Sequence, residues 1–181
     1  MTSEQRIIYI TGRGGDAGKG LGAYLKTIDP HRIGLSVNSI FLSLPFEQQI
    51  STIHDLLHRF DSPNTSIIAH SYGAYLLLQA MLALGDMESR VILLSPVMGR
   101  GMLKSSMLMS RPPGEYRVVE AQECGDVLAG TRVAVHVGEH DDSVNICDIS
   151  KRLGITNITV VQKAGHNLPV DYIQRIMRPH Y

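Results

Sequence analysis

Ser66-Ile67-Ile68-Ala69-His70-Ser71-Tyr72-Gly73-Ala74-Tyr75 changes character at Ser71: a β-prone run precedes the serine and an apolar helix-former follows it. A strand that reverses into a helix within two or three residues leaves no room for bulky side chains on either flank of the turn. Small residues must therefore stand two positions before and two positions after the serine, and Ala69 and Gly73 do. The expected signature is G-x-S-x-G, here Ala-His-Ser-Tyr-Gly, and its geometry projects the serine oxygen off the sheet edge beside the N-terminus of the following helix. A serine held on that bend is a candidate nucleophile, although serine between small residues before an apolar helix is also among the best N-caps.

A serine of ordinary basicity does nothing without a general base and a group that orients the base. Downstream, the apolar run Arg132 to Val137 leads into Gly138-Glu139-His140-Asp141-Asp142-Ser143-Val144, and the run Asn157 to Val161 leads through Gln162, Lys163 and Ala164 to Gly165-His166-Asn167-Leu168. With the serine segment, these resemble the α/β-hydrolases: a nucleophile elbow, an acid loop of the form G-x-x-D-x-x-V and a G-H motif before the last helix, in the order Ser, acid, His. Each segment alone is common; three in that order, each after a predicted strand, are specific. The resemblance covers nearly the whole chain and implies Ser71 as nucleophile, Asp141 as acid and His166 as base. Asp142 leaves the acid open by one position, and spacing from Gly138 and Val144 favours Asp141. For His70, the position on the turn predicts a side chain directed away from the serine oxygen, with a role in packing or in supporting the catalytic side chains from behind.

The β-branched runs Arg6 to Thr11 and Arg32 to Val37 suit buried parallel strands, with a helix between them over Gly18 to Ile28. Pro45 opens a clearer helix, because Phe46, Ile50, Ile53, Leu57 and Phe60 recur at helical spacing. Helix Tyr72 to Leu84, strand Arg90 to Leu94, an irregular stretch from Ser95 to Glu115, and helices over Asn145 to Leu153 and Leu168 to Met177 complete the pattern. Alternating strands and helices predict an α/β fold: a single-domain three-layer sandwich with a mostly parallel sheet of about six strands. Residues 1–181 are expected to form one domain. It resembles a minimal, capless α/β-hydrolase, with 95–115 as the candidate lid.

The first strand ends at Thr11-Gly12-Arg13-Gly14-Gly15, where the resemblance places half of the oxyanion hole. It implies the backbone N–H of Arg13 as one donor and that of Tyr72 as the other. The Arg13 guanidinium admits a second role, meeting a substrate carboxylate, against the commoner case of a surface arginine. Gly12-Arg13-Gly14-Gly15-Asp16-Ala17 also fits the G-x-G-x-x-A dinucleotide pattern, but the second strand leads to Asn38 rather than to an acidic residue that would hold a ribose. Gly18-Lys19 fails as a phosphate loop at two positions, Arg13 and Gly20. His136, His140, Asp141 and Asp142 are improbable metal ligands, since three of them follow along one loop. Met98, Met102, Met107 and Met109 form a soft apolar cluster that suits core filling better than an acyl pocket.

The 17 basic and 17 acidic side chains cancel, which argues against nucleic acid or an acidic membrane as partner. Cys124 and Cys147 lack C-x-x-C spacing, and Met1 to Arg6 lacks an apolar signal region, so a cytoplasmic location is expected. No apolar run approaches the roughly 18 to 20 residues of a membrane span. The resulting expectation is a serine hydrolase that cleaves a small ester through Ser71, Asp141 and His166, with no cofactor. The alternatives are a hydrolase-shaped binding protein, or a thioesterase or peptidase using the same triad.

Overall fold

A computed structural model describes residues 5–101 and 111–177. The strands are β1 (Arg6–Ile10), β2 (Ile33–Leu35), β3 (Thr65–His70), β4 (Arg90–Leu94), β5 (Arg132–Gly138) and β6 (Asn157–Val161). The helices are α1 (Leu21–Ile28), α2 (Ser39–Leu42), α3 (Phe46–Phe60), α4 (Tyr72–Leu84), α5 (Glu115–Cys124), α6 (Ser143–Arg152) and α7 (Val170–Met177). All strand pairs are parallel, in the order β2-β1-β3-β4-β5-β6.

Both faces of the sheet are buried, so successive residues of one strand enter opposite cores. Ile8, Ile10, Ile67, Ala69, Val91, Leu93, Val133 and Val135 face a large core shared with α3, α4, α5 and α6. Ile7, Tyr9, Ile68, Ile92 and Leu94 face a smaller one covered by Leu25 of α1 and by Tyr172, Ile173 and Ile176 of α7. Helix α4 is apolar apart from Gln79 and buried from Tyr72 through Met81, which follows from its place between the sheet and α3. His136 points to the smaller core, where its Nδ1 and the Tyr172 hydroxyl are 2.7 Å apart; burial lowers its pKa to about 4 and keeps the ring neutral.

Several boundaries differ from the sequence expectation, each for a local reason. Strand β2 is shorter than Arg32 to Val37 because the Arg32 N–H donates to the Asp29 carbonyl in the preceding turn, while the Val37 N–H donates to Thr11 Oγ1 and its carbonyl accepts from the Gly14 N–H. The first helix starts at Leu21 rather than Gly18, after Gly20 with φ 52°. The single turn α2, whose Phe41 N–H is capped by the Asn38 side chain, and helix α5 were not expected. Helix α5 buries only Val118 and Ala121, too thin a stripe to announce itself. Of the candidate lid, 102–110 lies outside the described residues, as do Met102, Met107 and Met109; Met98 is buried in the larger core.

From β1 the chain crosses to β2 at one edge, then returns past β1 to β3 and continues in the other direction. The strand order therefore reverses between β1 and β3, and the crevice beyond the carboxyl ends of those strands is where ligands bind in open parallel sheets. Ser71 stands there, joining β3 to α4 with φ 53° and ψ −119°. Gly73 lets the first turn of α4 sit on the end of β1: a Cβ on it would lie 2.0 Å from the Thr11 carbonyl oxygen and 2.9 Å from Ile10 Cγ2.

These two positions predict opposite effects of added or removed bulk. Ser71→Gly should be more stable than Ser71→Ala by about 1 kcal/mol, because both lose the hydroxyl but only alanine keeps the strain of positive φ. Gly73→Ala should lose about 1–3 kcal/mol through overpacking. Chemical denaturation of the three variants checks this; equal stability of the two Ser71 variants would contradict the strain.

Candidate active site

Ser71 occupies the N-cap position of α4, yet its side chain makes no capping hydrogen bond. Its Oγ lies 2.8 Å from His166 Nε2. Cap and nucleophile were both open from sequence; the hydroxyl has turned from the helix to the imidazole. The backbone of Ser71 is fixed on both sides, its N–H donating to the Leu94 carbonyl at 3.0 Å and its carbonyl accepting from the N–H of Val97 at 3.2 Å and of Ala74 at 3.1 Å.

His166 stands on the loop between β6 and α7, and its Nδ1 is 2.9 Å from Asp141 Oδ2. The Asp141 side chain is only 3% exposed, whereas that of His166 is 38% exposed. A buried carboxylate facing the inner ring nitrogen fixes the tautomer that leaves Nε2 as acceptor toward the serine. The two loops are tied by backbone hydrogen bonds, from His140 N–H to the Ala164 carbonyl (2.8 Å) and from Glu139 N–H to the Val161 carbonyl (2.9 Å). Their approach requires glycine at 138, where a Cβ would lie 2.1 Å from the Gly165 carbonyl oxygen. Asp142, the alternative acid, is also buried, and its Oδ2 accepts from Asn145 Nδ2 at 3.0 Å; it is Asp141 that meets His166.

His70 is not the partner of Ser71, but it does not leave the site. Its ring lines the same cleft, with its centroid 5.6 Å from that of His166. Burial, reinforced by the neighbouring His166, lowers its pKa to about 4, so it stays neutral beside the other imidazole.

The cleft over Ser71 has a volume of about 590 Å³ and is lined by the loop from Thr11 to Asp16, by Lys19, His70, Tyr72 and Asn167, among others. Among the described residues, the backbone N–H groups of Arg13 and Tyr72 have no acceptor, so both sequence-predicted oxyanion donors are uncommitted at this cleft. Asp16 Oδ2 pairs with Lys19 Nζ at 3.6 Å, and the Arg13 guanidinium lies 5.9 Å from the centre of the Tyr72 ring. Sequence reasoning did not place Lys19 or Asn167 here: Lys19 was weighed only as part of a phosphate loop, and Asn167 carries no signal beyond following His166. The dinucleotide pattern fails on structure, since Ala17 is followed by turn and α1 begins only at Leu21. No helix among the described residues is long and apolar enough to cross a membrane.

No family model and no curated protein matches the sequence. Solved structures do match by shape. Esterase PE8 has a TM-score of 0.60 at 14% identity, over 96% of this chain and 90% of that one. The ydeN gene product from B. subtilis has a TM-score of 0.62 at 18% identity, over 95% of this chain and 97% of that one. A structure from work on carboxylesterases of the thaumarchaeon Nitrososphaera gargenis has a TM-score of 0.64 at 11% identity, over 96% of this chain and 89% of that one. With the six-stranded parallel sheet and its covering helices, these likenesses identify the fold as α/β-hydrolase-like.

Proposed function

We propose that this protein is a serine hydrolase that transfers the acyl group of a small ester to water. The observation that carries the reading is the hydrogen-bonded chain from Ser71 Oγ through His166 to Asp141, in which the serine oxygen forgoes its helix cap for the imidazole. The esterase and hydrolase names among the structures of similar shape agree with it.

In this mechanism Ser71 Oγ attacks the ester carbonyl carbon while its proton passes to His166 Nε2. The imidazolium is held by Asp141, which accepts from Nδ1–H and balances the new charge. Negative charge gathers on the carbonyl oxygen, and the N–H groups of Arg13 and Tyr72 are the donors proposed to meet it; one such donor is worth on the order of 10² to 10³ in rate. His166 returns the proton to the departing alcohol, forming an acyl-Ser71. A water then loses its proton to His166, attacks the acyl carbon, and the acid leaves as Ser71 regains its proton. The oxyanion donors are backbone groups, so they survive substitution of either side chain.

Wild-type protein should hydrolyse p-nitrophenyl esters and be labelled at Ser71 by a fluorophosphonate. Ser71→Ala and His166→Ala should each lower kcat by on the order of 10³ or more, and Asp141→Asn by a comparable factor, whereas Asp142→Asn should cost much less. A folded wild type that neither turns over nor labels would point instead to a hydrolase-shaped binding protein.

The pH profile supplies an independent check. The mechanism uses one imidazole as base, which corresponds to a slope of one in log kcat/KM against pH. His70 contributes no second step, because burial holds its pKa near 4. A slope of two above about pH 5 would contradict a neutral His70.

A further inference from the structure

One corner of the cleft has chemistry that ester hydrolysis itself does not use. Tyr72 is 4% exposed and lines the cleft, yet its hydroxyl has no hydrogen-bond partner among the described residues. The hydroxyl is not one of the enclosed, partnerless side-chain atoms, so it is reached from the cleft that the residue lines. Burial also raises its pKa, so the hydroxyl remains a donor. Beside the ring stands the guanidinium of Arg13, an exposed side chain with no carboxylate paired to it among the described residues. The other charged side chains that line the cleft offset each other, Lys19 facing Asp16. A planar fork of donors, a phenolic O–H and an unbalanced positive charge thus converge next to the nucleophile.

We propose that Arg13 and the Tyr72 hydroxyl bind an anionic group of the substrate, so that the preferred ester carries a carboxylate or a phosphate. This rests on the ester-hydrolase reading above and narrows its substrate class. The guanidinium takes either anion through two parallel N–H donors, and the Tyr72 O–H donates to a remaining oxygen. The reaction is unchanged: Ser71 forms the acyl bond, the alcohol leaves with the proton from His166, and the anionic group neither gains nor loses a bond.

Two matched substrate pairs separate the sources of the anion. The first is p-nitrophenyl hydrogen succinate against p-nitrophenyl levulinate, with the carboxylate on the acyl side. The second is the butyrate monoester of ethylene glycol phosphate against that of ethylene glycol, with a phosphate on the alcohol side. The wild type should favour the anionic member of at least one pair by about 10-fold or more in kcat/KM, the size expected of charge-assisted hydrogen bonds. Arg13→Gln should shrink that ratio to within about twofold, and Tyr72→Phe should reduce it by about threefold. A smaller wild-type preference in both pairs, or one that survives Arg13→Gln, overturns the proposal, while turnover of the neutral esters that is lost in Ser71→Ala leaves the hydrolase reading intact. Should no ester be turned over, titration of succinate and of inorganic phosphate against the Arg13 Nε–H signal in NMR spectra reads the same contact directly: saturable shifts that Tyr72→Phe weakens support it, and their absence overturns it.

Discussion

The chain passes from strand to helix through a single residue, and that residue is the serine. Ser71 absorbs the reversal with φ 53°, in a region of backbone space that costs a non-glycine residue on the order of 1–3 kcal/mol. The strain persists because the surroundings over-determine it. The Ser71 N–H is held by Leu94 of the neighbouring strand, its carbonyl by Val97 and Ala74, and α4 cannot slide away while Gly73 seats it on the Thr11 carbonyl. One consequence is that the hydroxyl leaves the axis of the helix it begins. Another is that the loop after β1, with the Arg13 N–H, borders the same cleft as the N–H of Tyr72.

The rest of the site answers to that placement. The sheet reverses direction between β1 and β3, so the helices that follow those strands diverge and leave a crevice above their ends. Asp141 and His166 reach it from the ends of β5 and β6, which are neighbours and parallel, with Gly138 in register with Val161. The acid loop and the histidine loop then hold each other through backbone hydrogen bonds and the Gly138–Gly165 contact. Burial is graded along the array: the carboxylate is enclosed, the imidazole half-buried, and the serine lines the cleft.

What could be read from the residues alone was whatever is encoded locally. Apolar, β-branched runs announced five of the six strands nearly to the residue; β1, β3, β4 and β5 are largely buried on both faces, and β6 keeps such a run although it is partly exposed. Ala69 and Gly73 were legible for a similar reason: the strand-to-helix turn demands small residues at fixed offsets, and Gly73 does seat α4 on the Thr11 carbonyl. Asp141 and His166 could be chosen because the loops that follow β5 and β6 resemble the acid loop and the G-H motif of the α/β-hydrolases. Features that depend on tertiary placement were not legible. Helix α5 contributes two buried side chains, and β2 is cut short where Val37 bonds to Thr11 Oγ1 and Gly14 rather than continuing the ladder. His70 turned out to stand beside His166, a relation between residues nearly a hundred positions apart that no local pattern records. The uncommitted hydroxyl of Tyr72 is likewise visible only once its neighbours are known.

The central claim is that Ser71, His166 and the two backbone donors form one acyl-transfer centre. A crystal structure of the protein after reaction with a phosphonate ester tests it most directly, since the tetrahedral phosphorus stands in for the carbonyl carbon under attack. The account predicts a covalent bond from Ser71 Oγ to phosphorus, with one phosphoryl oxygen accepting from the N–H groups of both Arg13 and Tyr72. An adduct on another residue, or a phosphoryl oxygen turned away from both N–H groups while His166 stays in place, would contradict it.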